Sequence, residues 1–319
     1  MQGKTRDDDK NPENSVEKNN RMAQDMSMTF ALPPEFIFNE KTRVMFVFAH
    51  QDDEAVYAGL IQRIRGQKMF LWVTNGDGLA KQAGMNPIDY AGMREMECKA
   101  AMKMLGVSWE SLRFLGHSEI KIYSSLVRVA EEKEKRHEVF SYFRGISAQV
   151  EAEIRGFRPD VVFTLAWQGG HPEHDLCHYF TYLATGKMKG VRLFELPEYE
   201  LFYTCLLRFP FWERKNIYEL ELTDKEVQKK LQVLGCYPSQ EWLFAPFRKW
   251  LRVRRYLDAL LEGKMKNPLA REFFREVPNT RDYFTPPHRV DFLEYGFDDY
   301  EGKRISFRTM LLPVIQALS

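Results

Sequence analysis

Two short apolar segments, Val44–Phe48 and Val161–Leu165, constrain the fold of this chain most strongly, because each leads into a run of charged and imidazole side chains. Parallel strands that are buried on both faces of a sheet have near-continuous apolar sequences rather than alternating ones. In open α/β sheets, ligands bind at the carboxyl ends of such strands. We therefore predict that both segments are parallel strands and that the polar runs behind them lie at one edge of the sheet.

The two polar runs together hold three of the seven histidines of the chain, in the sequences His50-Gln51-Asp52-Asp53-Glu54 and His171-Pro172-Glu173-His174. Imidazole and carboxylate groups are common ligands of catalytic zinc, which is held by three protein ligands and keeps its fourth position for water or substrate. The two runs therefore predict a split metal site of the catalytic type, with Zn²⁺ as the expected metal.

Each run also has an ordinary explanation when it is considered alone. An Asp-Asp-Glu sequence at the start of a helix commonly caps that helix and interacts favourably with its dipole. Two histidines three residues apart, such as His171 and His174, are often only surface residues. However, capping does not require an imidazole at a strand end, where His50 lies, and Gly169-Gly170 would allow close approach of backbone and ligand. Considered together, the runs favour metal binding.

The chain from residue 31 to residue 245 alternates between strand and helix patterns. The first strand, an apolar-periodic helix from about residue 53 to residue 65 and a strand at 69–74 form a βαβ unit, which implies parallel neighbours. Further helices are predicted at 90–105, at 127–155 with an interruption near Gly145, and at 176–185, and further strands at 111–115, 198–207 and 216–222. The pattern predicts an α/β domain with a Rossmann-like, mainly parallel sheet flanked by helices.

Both ends of the chain differ from this central region. Residues 1–30 are polar and charged, which is typical of a segment that cannot offset its ordering entropy, and we predict a disordered tail. Residues 246–319 are expected to form a mostly helical extension that packs on the same domain. Aromatic and basic residues alternate from Trp242 to Leu261, which favours an amphipathic helix lying on the main domain.

The composition excludes several classes of protein. Lys and Arg (46) nearly balance Asp and Glu (45) and form no basic stripe, so we expect no nucleic-acid partner. The four cysteines are widely separated and form no Cys-x-x-Cys pair, so they indicate neither a disulfide framework nor a thiolate zinc site and favour a reducing compartment. The chain has neither an apolar run of about 18 residues nor a signal-peptide core. We expect a soluble, cytoplasmic protein whose oligomeric state the sequence leaves open.

The two runs resemble the paired motifs of a known family. His50-Gln51-Asp52-Asp53-Glu54 is similar to the His-Pro-Asp-Asp-Glu signature of the PIG-L/LmbE family of zinc-dependent de-N-acetylases, and Gly170-His171-Pro172-Glu173-His174 is similar to its Gly-His-Pro-Asp-His motif. Weaker similarities lie in the same order along the chain, at Thr74–Gly78, Arg94-Glu95, Leu105-Gly106, Phe114–Glu119, Lys230 and Tyr237–Gln240. The resemblance therefore spans residues 42 to 240.

The resemblance implies a role for several residues. His50, Asp53 and His174 would bind zinc, while Asp52, next to a ligand, would act as general base. His171 would stabilise or protonate the tetrahedral intermediate, because an amide nitrogen is a poor leaving group and requires an acid.

Four acidic or basic residues have less specific expected roles. Glu173 is expected to orient His171 or to tune its pKa, as carboxylates beside metal-site imidazoles do. For Glu54, a charge at a helix start, a contact behind the ligands and direct participation all stay open. Arg94 and Glu119 lie where the family contacts the sugar or its aglycone, although both also fit as ordinary surface charges.

The chain departs from the family pattern at three positions. Gln51 replaces the usual proline and Glu173 the usual aspartate, and neither change removes an expected metal ligand. Gly169 stands where some relatives have a tyrosine, so any role of that tyrosine would fall to another residue such as Trp167.

The expected activity is the hydrolysis of the N-acetyl group of an amino sugar or a glycoconjugate. One alternative is an amidase that cuts a larger amide, such as a thiol–sugar conjugate. Another is a catalytically silent carbohydrate-binding protein of the same fold. A nucleotide-binding oxidoreductase is the weakest alternative, because no Gly-x-Gly-x-x-Gly sequence follows the first strand.

Overall fold

The structure is a computed structural model, and it describes residues 30–198, 207–209, 216–241, 268–287, 295, 299–300 and 302–319. Three predicted features lie outside these residues: the disordered tail except Phe30, most of the strand at 198–207, and the amphipathic helix at 242–261. Among the helices of the described residues, none is both long enough and apolar enough to cross a membrane.

A seven-stranded mixed sheet forms the centre of the domain. Its strands are β1 (Val44–Phe48), β2 (Lys68–Thr74), β3 (Leu112–His117), β4 (Val161–Leu165), β5 (Arg192–Leu196), β6 (Tyr218–Glu221) and β7 (Arg271–Glu276). Their spatial order is β3-β2-β1-β4-β5-β7-β6. The first five strands pair in parallel, and β7 runs antiparallel to both of its neighbours. The mainly parallel, Rossmann-like sheet predicted from the sequence is confirmed.

Seven α-helices of the described residues flank this sheet or close the chain. They are α1 (Ala58–Arg63), α2 (Pro87–Met104), α3 (Glu119–Glu131), α4 (Arg136–Phe157), α5 (Pro172–Gly186), α6 (Asp224–Leu234) and α7 (Leu312–Leu318). α6 packs against α1 and α2, whereas α4 packs against α3, α5 and α7. The helices thus form two groups, as expected for a doubly wound α/β fold.

The order of the strands creates a switch point between β1 and β4. β1 pairs with β2 on one side and with β4 on the other, where Val44 lies opposite Val161. The strands that follow β1 in sequence, β2 and β3, lie on one side of it, whereas β4 and β5 lie on the other side. Crevices at such switch points, at the carboxyl ends of the strands, are where open α/β sheets bind ligands. The two polar runs follow these two strands.

The core beneath this crevice is built from aromatic side chains of adjacent strands. Every residue of β1 and of β4 is buried. The ring of Phe46 lies between those of Phe70 on β2 and Phe163 on β4, with centroid distances of 5.0 and 5.1 Å. Aromatic pairs at such distances add to the stabilisation that burial provides. These rings form one continuous aromatic layer, the aromatic floor, on the strands that lead to the crevice.

Residues beyond 246 contribute to the same sheet. β7 lies between β5 and β6, so a strand from the C-terminal region completes the sheet. Its Glu272 is buried and accepts a 2.8 Å hydrogen bond from Lys230 of α6. The same carboxylate accepts the backbone N–H groups of Gly59 and Leu60 at the start of α1. This buried ion pair ties β7, α6 and α1 together.

One sequence-based boundary is wrong, and one strand is missing from the prediction. The sequence predicts one long helix at 127–155 that is interrupted near Gly145. In the structure Gly145 lies inside α4 and faces open space, so this glycine only lowers the intrinsic stability of the helix. The break occurs instead at 132–135, where Glu132 has non-helical dihedral angles and the charged 3₁₀ turn Lys133–Lys135 separates α3 from α4. The strand expected at 198–207 is preceded by a strand that the pattern missed, β5.

Candidate metal centre and catalytic site

The first polar run folds back on the end of β1. The backbone N–H groups of Ala49 and His50 donate hydrogen bonds of 3.0 and 2.8 Å to Oδ2 of Asp53, which begins a short 3₁₀ helix. These two bonds hold the carboxylate in place and leave Oδ1 to face the crevice. Asp53 is therefore oriented by the backbone of the strand it follows.

The second polar run is positioned by a glycine turn. Gly169 and Gly170 have φ angles of 75° and 92°, a region that glycine enters without strain. The turn is held by Oδ1 of Asp175, which accepts the backbone N–H groups of Gln168 and Gly169 at 3.3 and 3.2 Å. α5 then begins at Pro172, which makes His171 its N-cap residue and places His174 in its first turn.

These two local structures bring three donor atoms together. Nδ1 of His50 lies 3.0 Å from Nε2 of His174 and 3.8 Å from Oδ1 of Asp53. Nε2 of His174 lies 3.6 Å from Oδ1 of Asp53. All three side chains are buried. Two ligand atoms of a tetrahedral zinc ion lie about 3.3–3.5 Å apart, given bonds of about 2.0–2.2 Å. The observed separations bracket that value, so the donor set fits a zinc ion.

Burial and mutual charge shift the pKa values of the three side chains. Burial raises the pKa of Asp53, and burial together with His50 and His171 lowers the pKa of His174 well below its usual value. Burial opposes protonation of His50 as well, but Glu119 and Asp53 outweigh it and raise its pKa. Metal binding requires neutral imidazoles and an ionised carboxylate. Protons therefore compete with a metal ion at this site.

The other nitrogen of each imidazole faces a carboxylate. Oε2 of Glu198 lies 3.4 Å from Nδ1 of His174, and Oε2 of Glu119 lies 3.7 Å from Nε2 of His50. Carboxylates in this position orient metal-binding histidines and raise their basicity. Glu198 is a residue that the sequence analysis missed, because the strand before it, β5, was not recognised.

The predicted base, Asp52, lies beside this cluster but is not one of its donors. Its Oδ1 is 3.1 Å from Nη2 of Arg94, which reaches it from α2. The Arg94 side chain is only 4% exposed. Burial lowers the pKa of its guanidinium, but the carboxylate of Asp52 outweighs burial and keeps that pKa above its usual value. The resemblance placed Arg94 at the sugar or its aglycone, whereas the structure places its guanidinium on Asp52.

One family model matches the part of the chain that forms most of this arrangement. The family model described as GlcNAc-PI de-N-acetylase (PIG-L) matches residues 45–185, which include His50, Asp52, Asp53 and His174. These residues are therefore similar to the PIG-L family. No curated protein sequence matches the chain.

Solved structures share the fold of the whole domain. The chain is similar to A40926 pseudoaglycone deacetylase Dbv21, with 17% identity, a TM-score of 0.53, and coverage of 76% of this chain and 100% of that one. It is also similar to a deacetylase of teicoplanin biosynthesis, with 18% identity, a TM-score of 0.52, and coverage of 75% and 100%. For N,N'-diacetylchitobiose deacetylase from Pyrococcus horikoshii, the identity is 16%, the TM-score 0.51 and the coverage 90% and 98%. At these identities the similarity shows a common fold.

Within the residues that the family model matches, His171 lies beside the three donors and is half-buried. Its ring centroid is 5.6 Å from that of His50 and 5.2 Å from that of His174. The neighbouring Glu173 is buried, and its Oε2 accepts a 2.8 Å hydrogen bond from the hydroxyl of Tyr123. Glu173 is therefore fixed from α3, while His171 borders both the donor cluster and the open crevice.

Glu54 and Glu119 support the candidate metal centre from two sides. Glu54 accepts hydrogen bonds from Nε1 of Trp72 and from the hydroxyl of Tyr237, and burial raises its pKa to about 8. It therefore lies behind the site rather than in the crevice. Glu119 accepts the backbone N–H of Gly78 at 3.3 Å. A Cβ on Gly78 would lie 2.2 Å from Oε1 of Glu119, so a side chain there would displace this carboxylate.

Proposed function

We propose that this chain is a zinc-dependent hydrolase that removes the N-acetyl group from an amino sugar or a glycoconjugate. The observation that carries the proposal is the convergence of His50, Asp53 and His174, with the carboxylate of Asp52 beside them but not among the donors. Three protein ligands, with a further carboxylate beside them that is not one of the donors, suit amide hydrolysis at a zinc ion. Zinc bound at these donors would lower the pKa of a water molecule and polarise the acetamide carbonyl.

The residues of the chain have distinct roles in this proposal. Asp52 accepts the proton of the attacking water, since its carboxylate lies beside the donors and is held by Arg94. His171 borders the crevice and protonates the leaving amine or stabilises the tetrahedral intermediate. Glu173 is held by the hydroxyl of Tyr123 and so anchors the first turn of α5, which begins directly after His171.

The substrate class rests on the relatives. The matched family model is that of GlcNAc-PI de-N-acetylase, and proteins of similar fold include a deacetylase of N,N'-diacetylchitobiose. The shared element of these names is removal of an acyl group from an amino sugar or sugar conjugate. We extend that substrate class to this chain, with residues 31–245 as the deacetylase domain and the later residues packed on it and supplying β7 to its sheet.

We also propose a cytoplasmic location. Among the described residues, Cys98 and Cys177 are buried free thiols, which suits a reducing compartment.

Metal analysis coupled to acetate release tests the proposal. Purified protein is expected to hold about one zinc ion per chain and to release acetate from at least one member of a panel of N-acetylated sugars and glycoconjugates. The variant His174→Ala should lose both the metal and the activity. A panel that also includes larger amides, such as thiol–sugar conjugates, distinguishes a deacetylase from an amidase. Full metal loading without hydrolysis of any amide would contradict the proposal and support a binding protein.

A further inference from the structure

The guanidinium group of Arg94 is enclosed on the side away from the crevice. Nη2 contacts Asp52, while Nη1 lies 3.3 Å from Oγ of Ser239 and 4.0 Å from Oε2 of Glu97. The ring of Tyr237 covers one face, with its centroid 5.8 Å from Cζ. Rotation of the guanidinium towards a ligand in the crevice would break these contacts.

The residues that enclose Arg94 are themselves held in place. The backbone N–H of Ser239 donates a 2.9 Å hydrogen bond to Oε1 of Glu97, and the Ser239 hydroxyl contacts the other oxygen of the same carboxylate. Nε2 of Gln240 donates a 3.0 Å hydrogen bond to the hydroxyl of Tyr90. The 3₁₀ turn Pro238–Gln240 is thus fixed to α2, the helix that carries Arg94.

The loop after β2 also makes room for the Arg94 side chain. Gly76 has a φ angle of 69°, and a Cβ there would lie 3.2 Å from Nε of Arg94 and 2.6 Å from Oε1 of Gln51. A side chain at this position would push against both residues. The left-handed glycine therefore leaves room for the side chain that reaches from α2 to Asp52.

From these contacts we infer that Arg94 is a positioning residue that fixes the carboxylate of Asp52, and not a substrate contact. The inference rests on the proposed function. The ion pair occupies Oδ1 of Asp52, which leaves Oδ2 as the oxygen that accepts a proton from water. Charge pairs removed from solvent interact more strongly than exposed ones, and a planar guanidinium restricts the orientation of its partner. Ser239 and Glu97 in turn fix the guanidinium.

The variants Arg94→Met and Arg94→Lys separate positioning from substrate binding. With an N-acetylated sugar that the wild-type protein hydrolyses, Arg94→Met is expected to lower kcat by about 100-fold, as a misplaced catalytic group does, with zinc content unchanged. KM should stay within about threefold of the wild-type value, since no ground-state contact is lost. Arg94→Lys should recover part of kcat, because it keeps the charge but not the planar group.

The matched control is Arg63→Met, because Arg63 also pairs with a carboxylate, Glu226 at 2.7 Å, but lies outside the site. It should lower Tm and leave kcat and KM unchanged. If Arg94→Met does not fold, Ser239→Ala removes only one contact of the guanidinium and should lower kcat by a smaller factor without raising KM.

Two kinds of result would overturn the inference. A rise in KM with kcat unchanged in Arg94→Met or in Ser239→Ala would make Arg94 a substrate contact, and unchanged values of both constants would exclude any role. A crystal structure of Arg94→Met that shows Asp52 in its wild-type orientation would also contradict it. If the zinc-loaded wild-type protein hydrolyses no amide, the proposed function itself fails, which is a different outcome from an active wild type with an altered KM.

Discussion

The carboxylate of Glu198 is expected to strengthen zinc binding although it does not touch the metal. Its Oε2 lies 3.4 Å from Nδ1 of His174, and the side chain is 9% exposed, so little solvent screens the interaction. Loss of such a partner typically lowers metal affinity by 10- to 100-fold. For Glu198→Ala, that range corresponds to about 1.4–2.7 kcal/mol of binding free energy. Glu198→Gln should have a smaller effect, because its amide oxygen can still accept the imidazole N–H.

The assay is a competition titration in which a chromogenic chelator of known affinity removes zinc from each variant at fixed pH. Glu226→Gln is the matched control, because it also neutralises a paired glutamate but lies at the start of α6, with Arg63 as its partner. Its zinc Kd should equal that of the wild type. A zinc Kd for Glu198→Ala within twofold of the wild-type value would refute the reasoning that Glu198 orients His174.

Three further predictions concern stability. Phe46→Ala removes the central ring of the aromatic floor and should lower the free energy of unfolding in urea by about 3–5 kcal/mol, whereas a loss below about 1 kcal/mol would show that the rings do not support the sheet. Lys230→Met leaves the buried carboxylate of Glu272 without its cation and should cost about 3–5 kcal/mol, and a neutral effect would contradict the account of this ion pair. Glu54 has a folded-state pKa of about 8 against an ordinary value of 4.5, so its stabilising contribution is complete below pH 4.5 and is lost as the pH rises through 8. The unfolding free energy of metal-free Glu54→Gln should therefore rise relative to wild type over that pH interval, and a pH-independent difference would contradict the raised pKa.

The sequence predicts β1 and β4 well, because a continuous apolar segment marks each of them locally. β1 and β4 are apolar on both faces because helices cover the sheet, and that continuous pattern is visible without tertiary information. The rule that ligands bind at strand ends then places His50 and His174 near one another, and the structure brings their ring nitrogens to 3.0 Å. The convergence across 124 residues of sequence therefore follows from two strand assignments.

The features that the sequence did not reveal depend on contacts between distant segments. Glu198 follows β5 (Arg192–Leu196), which has charged residues at its first and fourth positions. The fourth residue, Glu195, is buried and pairs with Arg275 and Arg281. A buried glutamate paired in this way interrupts the apolar pattern by which parallel strands are recognised. Likewise, β7 lies beyond residue 246 in the sequence but between β5 and β6 in space.

Arg94 shows the same limit within the site. The motif indicates an arginine near the crevice, but only the packing of α2 against the Pro238–Gln240 turn determines which way its side chain points. The conformation of the Arg94 side chain depends on Ser239, which lies 145 residues away in the sequence. The types of residue in the site are thus readable from the chain, whereas their mutual orientation is set by tertiary structure.

The variant Asp52→Asn tests the central claim most directly, because Asp52 is assigned to the chemistry and not to the metal. The measurement is zinc content and acetate release on the same preparation, with an N-acetylated sugar that the wild-type protein hydrolyses. The account predicts full zinc occupancy with acetate release reduced by at least about 100-fold, the contribution of a positioned general base. Wild-type acetate release from zinc-loaded Asp52→Asn would contradict it.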